Sequence, residues 1–244
     1  MNGWLNAGGQ FFNPSARVST VPIDADEVCI VVDDALANPA GLVDWAAAQS
    51  FHSLGDVPYP GIVRDAPSQV TATVAAYFAE RIRGRLGGRR TLSVTVRLSI
   101  VTLAPADLRP VQWQCHRDRL GPATRDVRLA AMVAYLFRAP EFGGTSFYKP
   151  RQSEEETQRI ISDAGQMDAR DFSARYGLEP SYLSESNRYF ERIAQIPAAW
   201  NRMLFYSGDL FHSGDIGVPG HLSADVRAGR LTLNGFFACS PALR

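Results

Sequence analysis

"QWQCHRDRL", residues 112–120, sets a histidine and an aspartate two positions apart, His116 and Asp118, among strand-like neighbours. Read as a strand over 111–118, the stretch puts Gln112, Gln114, His116 and Asp118 on one face and Trp113, Cys115 and Arg117 on the other. A ring nitrogen and a carboxylate then share a side. The chain has only four histidines, so metal or acid–base chemistry must be built from few parts. An H-x-D spacing alone is common, and a polar row on a strand most simply faces water. The surroundings decide.

Working outward, β-branched and alternating runs predict strands at 27–36, 91–103, 128–137, 143–150, 201–214 and 229–239. Residues 1–25 read as irregular lead-in and 55–67 as a proline-bearing loop. Helices are predicted over 38–51, with Asn38 as cap and Pro39 at the first helical position, and over 68–85, stopped by Gly87 and Gly88. Residues 151–200 carry helix signals: a capping-box spacing at Ser153 and Glu156, and a further helix within 180–197. This order predicts one domain over 1–244, mainly β with accessory helices, built as a sandwich or barrel.

Bulk properties bound the function. Formal net charge is zero, so no nucleic acid and no membrane partner is expected. No basic segment followed by an apolar run opens the chain, and no stretch reaches the roughly 18–20 apolar residues of a membrane span, so a cytoplasmic location is expected. Three scattered cysteines fit neither a disulfide framework nor a CxxC site.

Two further strands complete the site. "LFYSGDLFHSG" ends an aromatic strand in His212, and "RLTLNGFF" sets Arg230, Thr232, Asn234 and Phe236 opposite Leu231, Leu233 and Phe237. A polar row enclosed in a barrel is costly unless a partner satisfies it, and a metal with a charged small molecule would do so. His116, Asp118 and His212 make a two-histidine, one-carboxylate set, the facial triad that leaves positions open on Fe(II).

On these motifs the chain resembles the Fe(II)/2-oxoglutarate-dependent oxygenases, in the prolyl-hydroxylase-like branch. "CHRD" is similar to that family's H-x-D strand, "PEFGGTSFYKP" to its glycine-rich strand, "MLFYSGDLFHSG" to the strand of its distal histidine and "GRLTLNGFF" to its arginine strand. "YPG" and "GGTSFY" together resemble a little-characterised bacterial subgroup. The resemblance implies a double-stranded β-helix (a jelly-roll or cupin-like barrel) over 91–239, with a helical insertion at 151–200 and with 1–90 supplying a strand and supporting helices. It implies Fe(II) on His116, Asp118 and His212, with 2-oxoglutarate as cosubstrate and O2 as oxidant. Arg230 would grip the far carboxylate of 2-oxoglutarate, aided by Thr232. The product chemistry would be hydroxylation of an amino-acid-like small molecule or a peptide, with release of succinate and CO2. Asp118 stands where related halogenases have a small residue, so halogenation is not expected.

Gln114, Tyr206 and Asn234 share faces with these residues and are candidates for the cosubstrate's surroundings. Tyr59 and Arg64, in "YPGIVR", are candidates for substrate contact at the mouth, and 151–200 is either a lid or packing. Arg230 follows His212 at a longer interval than the family's arginine does, which leaves Arg227 as a rival clamp; His221 is a rival ligand in a loop. A catalytically silent metal-binding jelly roll and a zinc hydrolase are the alternative functions. The sequence leaves the oligomeric state open.

Overall fold

The computed structural model of the 244-residue chain describes residues 3–55, 57–118 and 126–242; Arg119 and Leu120, the end of the opening stretch, lie outside them. In chain order the elements are β1 (Arg17–Pro22), β2 (Val28–Asp33), α1 (Pro39–Ala47), β3 (Gly61–Asp65), α2 (Ser68–Tyr77), β4 (Gly88–Val101), β5 (Arg128–Tyr135), β6 (Thr145–Pro150), α3 (Glu154–Gln166), α4 (Ala169–Tyr176), β7 (Phe190–Ile196), β8 (Met203–Ser207), β9 (Phe211–Gly214) and β10 (Arg230–Pro241). A π-helical turn and a 3-10 turn extend α2 to Leu86.

A seven-stranded antiparallel sheet in the order β1-β2-β8-β5-β10-β4-β3 faces a three-stranded sheet in the order β7-β6-β9. From β5 onward the chain passes back and forth between the sheets, β5 to β6, β7 to β8, β8 to β9 and β9 to β10. This is a double-stranded β-helix, the jelly roll. Alternation explains how one strand serves two layers. Leu98, Ile100, Met132, Phe205, Leu231 and Leu233 point to α1 and α2 and join Leu42, Val74 and Phe78 in one core. Their alternates Ala131, Val133, Tyr135, Leu204 and Tyr206 point to the small sheet and pack with Phe147 and Ile196. The polar row of β10 lies on this inner side.

The caps form as the sequence predicts. The Asn38 side chain accepts from the Gly41 amide at 3.1 Å. Ser153 and Glu156 make the reciprocal capping box of α3.

Five predicted elements are corrected. Residues 111–118 are not a strand: a 3-10 turn spans Pro110–Gln112, and the only ladder contact is an isolated bridge between His116 and His212. Pro110 fixes the turn's first residue, and the Gln112 side chain turns back to accept from the Arg109 amide at 2.7 Å rather than joining a polar row. The helix expected within 180–197 is instead strand β7, drawn into extended form by pairing with β6. The insertion at 151–200 is thus helical only in α3 and α4, which pack against Trp113 through Ile160, Ala164 and Phe172. The lead-in and the proline-bearing loop contribute edge strands β1 and β3, so 1–90 supplies three strands rather than one. The strand at 201–214 breaks at Gly208–Leu210, where the chain changes sheets to start β9.

Candidate metal and carboxylate site

His212 sits on β9, whose other neighbours in the sheet are fixed by pairing with β6. His116 has no strand to hold it, yet its amide donates to the His212 carbonyl and the His212 amide to the His116 carbonyl, both at 2.9 Å. Two residues on, the Asp118 amide donates to the Gly208 carbonyl at 2.8 Å. These three bonds do what strand alternation was expected to do.

The ligand-type atoms of His116, Asp118 and His212 all lie within 4.8 Å of one another. Asp118 Oδ1 is 3.7 Å from His212 Nε2 and 3.9 Å from His116 Nε2, too far for a hydrogen bond to either. Asp118 Oδ2 is buried without a partner among the described residues. His212 Nδ1 is 2.9 Å from the Leu210 carbonyl, which requires a proton there and leaves Nε2 with a free lone pair facing the acid. The set therefore fits a divalent cation: two imidazole nitrogens and a carboxylate within 4.8 Å of one another, with no further ligand-type His, Cys, Asp or Glu joining them among the described residues.

Electrostatics point the same way. Burial pushes His212 down to about 4, against the contribution of its Leu210 hydrogen bond, so the ring is neutral at pH 7. His116 shifts in the same direction, by desolvation and then by the nearby His212 ring, with Asp118 opposing. The His116 side chain is 58 % exposed, against 7 % for His212, so His116 forms the open side of the set. Burial raises Asp118, while His116 and Arg97 pull it back.

Arg230 lies in the same inter-sheet space, 5 % exposed. Its Nε donates to the Phe142 carbonyl at 2.7 Å and its Nη2 to the Gly144 carbonyl at 2.9 Å, and the guanidinium packs 5.4 Å from the Phe137 ring centroid. Among the described residues Nη1 carries no such bond and is the nitrogen left for a ligand. Nη2 comes within 3.7 Å of where a Cβ on Gly214 would stand, and Gly214 is two residues from His212 on β9. One small molecule could therefore touch both groups. Gly143 makes the carbonyl cradle possible: its φ is +64°, and a Cβ there would lie 1.5 Å from the Asp215 carbonyl oxygen.

Thr232 is buried beside Arg230 on the inner row, and Asn234 Nδ2 donates to its Oγ1 at 3.0 Å. Tyr206 stands edge-on to the His212 ring at 4.8 Å. Gln114 is buried with Oε1 unpartnered. Tyr59 is half-buried and close enough to Arg230 and Arg97 to feel both charges, though burial dominates and pushes its hydroxyl up to about 12. Two expectations, for Arg64 and Gln112, need correction, and the two rivals, Arg227 and His221, fall away. Arg64 is opposite Leu98 in the β3–β4 register, so it lies on the helix-packed face and not at the mouth. Gln112 is committed to its own turn. Arg227 is exposed and paired with Asp44, because its loop holds it outside the sheets. His221 lies 61 % exposed near Glu141, away from the triad. The sequence reading also overlooked Arg97 and Tyr135. Tyr135 shares its hydroxyl hydrogen bond with Thr145 at 2.8 Å and lines the space beside Arg230. Both sit on the inner alternation of β4 and β5, the one signal that could have found them.

Fold and cluster together define a jelly-roll protein with a His/Asp/His set and a buried arginine between its sheets. Residues 14–237 match the model of a family of unknown function (DUF6445), and the chain belongs to that family. No curated protein matches it. Among solved structures it is similar to the non-heme alpha ketoglutarate dependent epimerase SnoN from nogalamycin biosynthesis, at 14% identity and a TM-score of 0.44 over 87% of this chain and 80% of that one. It is also similar to an N-substituted L-amino acid dioxygenase from Burkholderia ambifaria AMMD, at 12% identity and a TM-score of 0.37 over 86% of this chain and 80% of that one. At such distances neither reaction nor substrate transfers to this chain. No helix among the described residues is long and apolar enough to cross a membrane.

Proposed function

We propose that the chain is an Fe(II)/2-oxoglutarate-dependent dioxygenase acting as a single folded unit on an amino-acid-like small molecule or a peptide. The observation that carries this is the shared space of two groups: a three-donor set with an orphaned carboxylate oxygen, and a buried guanidinium whose Nη1 is uncommitted. A metal site alone explains the first and not the second. A metal chelated by a dicarboxylate explains both.

In this reading His116, Asp118 and His212 would hold the iron. Arg230 would pair with the far carboxylate of 2-oxoglutarate, as a planar, permanently charged group suits. Thr232 and Asn234 would support that end through their mutual hydrogen bond. Tyr206 and Phe147, packed against each other and against His212, would keep bulk water from the inner side of the metal. When bound, iron and 2-oxoglutarate would supply the oxidising chemistry, in which O2 gives one oxygen to a substrate C–H and the other to succinate, with CO2 released.

The test is an anaerobic titration with Fe(II), then 2-oxoglutarate. The expected result is a weak visible charge-transfer absorption that needs both, is lost in His212→Ala, and requires more 2-oxoglutarate in Arg230→Met while iron affinity holds. Preference for zinc with indifference to 2-oxoglutarate would overturn the proposal in favour of a hydrolase. Binding without succinate formation for any candidate substrate would favour a silent binding protein.

A further inference from the structure

Arg97, on β4, faces the same inter-sheet space. Its partner across the β4–β10 register is Asn234, which belongs to the row of Arg230 and Thr232. The guanidinium lies 4.7 Å from the centroid of Phe236, the next residue of that row. It is half-buried, its Nε is buried without a hydrogen-bond partner, and no carboxylate among the described residues comes within 4.0 Å of it. Two other half-buried arginines are matched, Arg202 to Asp33 at 2.7 Å and Arg192 to Glu185 at 3.3 Å; Arg64 shares the unpartnered Nε but lies opposite Leu98 on the helix-packed face, away from the inter-sheet space. Arg230 is matched by the carbonyls of Phe142, Gly143 and Gly144. Arg97 has only an aromatic plate beneath it, Tyr59 and the metal-side acid Asp118 nearby, and the exposed Asp65 opposite it in the β3–β4 register.

A half-buried guanidinium with an unpartnered Nε and no carboxylate within 4.0 Å among the described residues carries a desolvation cost that a docking anion would relieve. The cosubstrate has no spare group to offer: one carboxylate would sit at the metal and the other at Arg230. We propose that Arg97 anchors a carboxylate of the primary substrate, so that the chain acts on a carboxylic acid held beside the metal. This rests on the oxygenase reading of the same cavity and narrows its substrate class. A carboxylate suits the site better than a phosphate, because one guanidinium balances a monoanion, whereas a dianion would leave excess negative charge beside Asp118. The aromatic plate holds the guanidinium plane in place, so both oxygens can be met at once.

Isothermal titration with benzoate, benzamide and inorganic phosphate tests this, on protein saturated anaerobically with Fe(II) and 2-oxoglutarate and again on metal-free protein. Benzoate should bind, and benzamide should bind about tenfold more weakly or worse, since it offers the same ring without the charge. Arg97→Gln should bring benzoate down to the level of benzamide while the 2-oxoglutarate dependence of the visible absorption moves by less than about twofold. Arg97→Lys keeps the charge but not the fork, should weaken benzoate several-fold, and serves if Arg97→Gln fails to fold. The proposal falls if benzoate does not bind the protein loaded with Fe(II) and 2-oxoglutarate, if it binds Arg97→Gln as well as the wild type, or if phosphate binds as tightly. It also falls if Arg97→Gln weakens 2-oxoglutarate as much as benzoate, which would assign Arg97 to the cosubstrate. Should iron and 2-oxoglutarate fail to bind at all, the oxygenase reading goes. Benzoate selectivity lost in metal-free Arg97→Gln would still support the carboxylate anchor.

Discussion

His212→Asn should make the metal-free protein less sensitive to acid. Asn can still donate to the Leu210 carbonyl as Nδ1 does, but it cannot take up a proton. In the folded chain His212 is lowered from 6.5 to about 4, chiefly by burial. Because the folded value lies below the unfolded one, the unfolded chain protonates first as pH falls. The contribution of the neutral ring is thus fully present above about 6.5 and is lost progressively toward 4. That shift is worth about 3 kcal/mol in all, of which about 2 kcal/mol is lost by pH 5. Asp118, raised by burial, works in the opposite sense and remains in both proteins, so the difference between them isolates the ring. Urea unfolding with a chelator present, followed by tryptophan fluorescence at pH 7.5 and pH 5, measures it. Wild type should lose about 2 kcal/mol more than the variant over that interval. Equal losses would refute both the neutral, desolvated ring and the donor set built on it.

Two glycines carry further predictions. Gly143→Ala places a Cβ 1.5 Å from the Asp215 carbonyl oxygen at a φ of +64°, so it should abolish soluble expression or cost more than about 3 kcal/mol by thermal melt. Gly208→Ala places one 3.0 Å from Asp118 Oδ2 and 3.1 Å from Leu129 Cβ; the carboxylate is the movable neighbour. It should weaken metal affinity by about tenfold in chelator competition while costing about 1 kcal/mol of stability.

What the sequence could show depended on how local the deciding interaction is. β4, β5 and β10 were legible because alternation is written in adjacent residues, as in Val96, Leu98 and Ile100 against Arg97 and Ser99. Which polar row is enclosed was not, because the small sheet that covers it comes from residues far along the chain. The stretch around His116 misled for the opposite reason: Pro110 and the Gln112–Arg109 bond override alternation within a few residues. β7 was missed because its extended form depends on β6, some forty residues earlier, and not on its own composition. The triad survived these errors because the chain offers few histidines, and because backbone bonds at His116 and Asp118 replace the strand. Arg97 was overlooked because a single cation in "TVRLSI" reads as an outward position.

The charges of the cavity fit together in a way no single residue reveals. Arg230 and Arg97 are cationic, Asp118 is anionic, the histidines are neutral, and the nearby buried Asp215 has Arg192 within 4.0 Å. Of these groups Arg230, Arg97 and Asp118 sum to one positive charge on the inner side, with Asp209 close enough to raise Asp118 and the exposed Asp65 opposite Arg97 at its edge. A divalent metal and dianionic 2-oxoglutarate cancel each other and leave that charge in place. A substrate with one carboxylate neutralises it, whereas a neutral or cationic substrate does not. On the proposed oxygenase reading, binding order would follow from the same balance: metal first, because Asp118 is the group left with a bare buried oxygen, then the cosubstrate that Arg230 and the metal would hold jointly, then the acid that Arg97 would hold beside them. A substrate acid added before the metal should bind weakly, since Asp118 then repels it, and should gain affinity once the metal has covered that carboxylate.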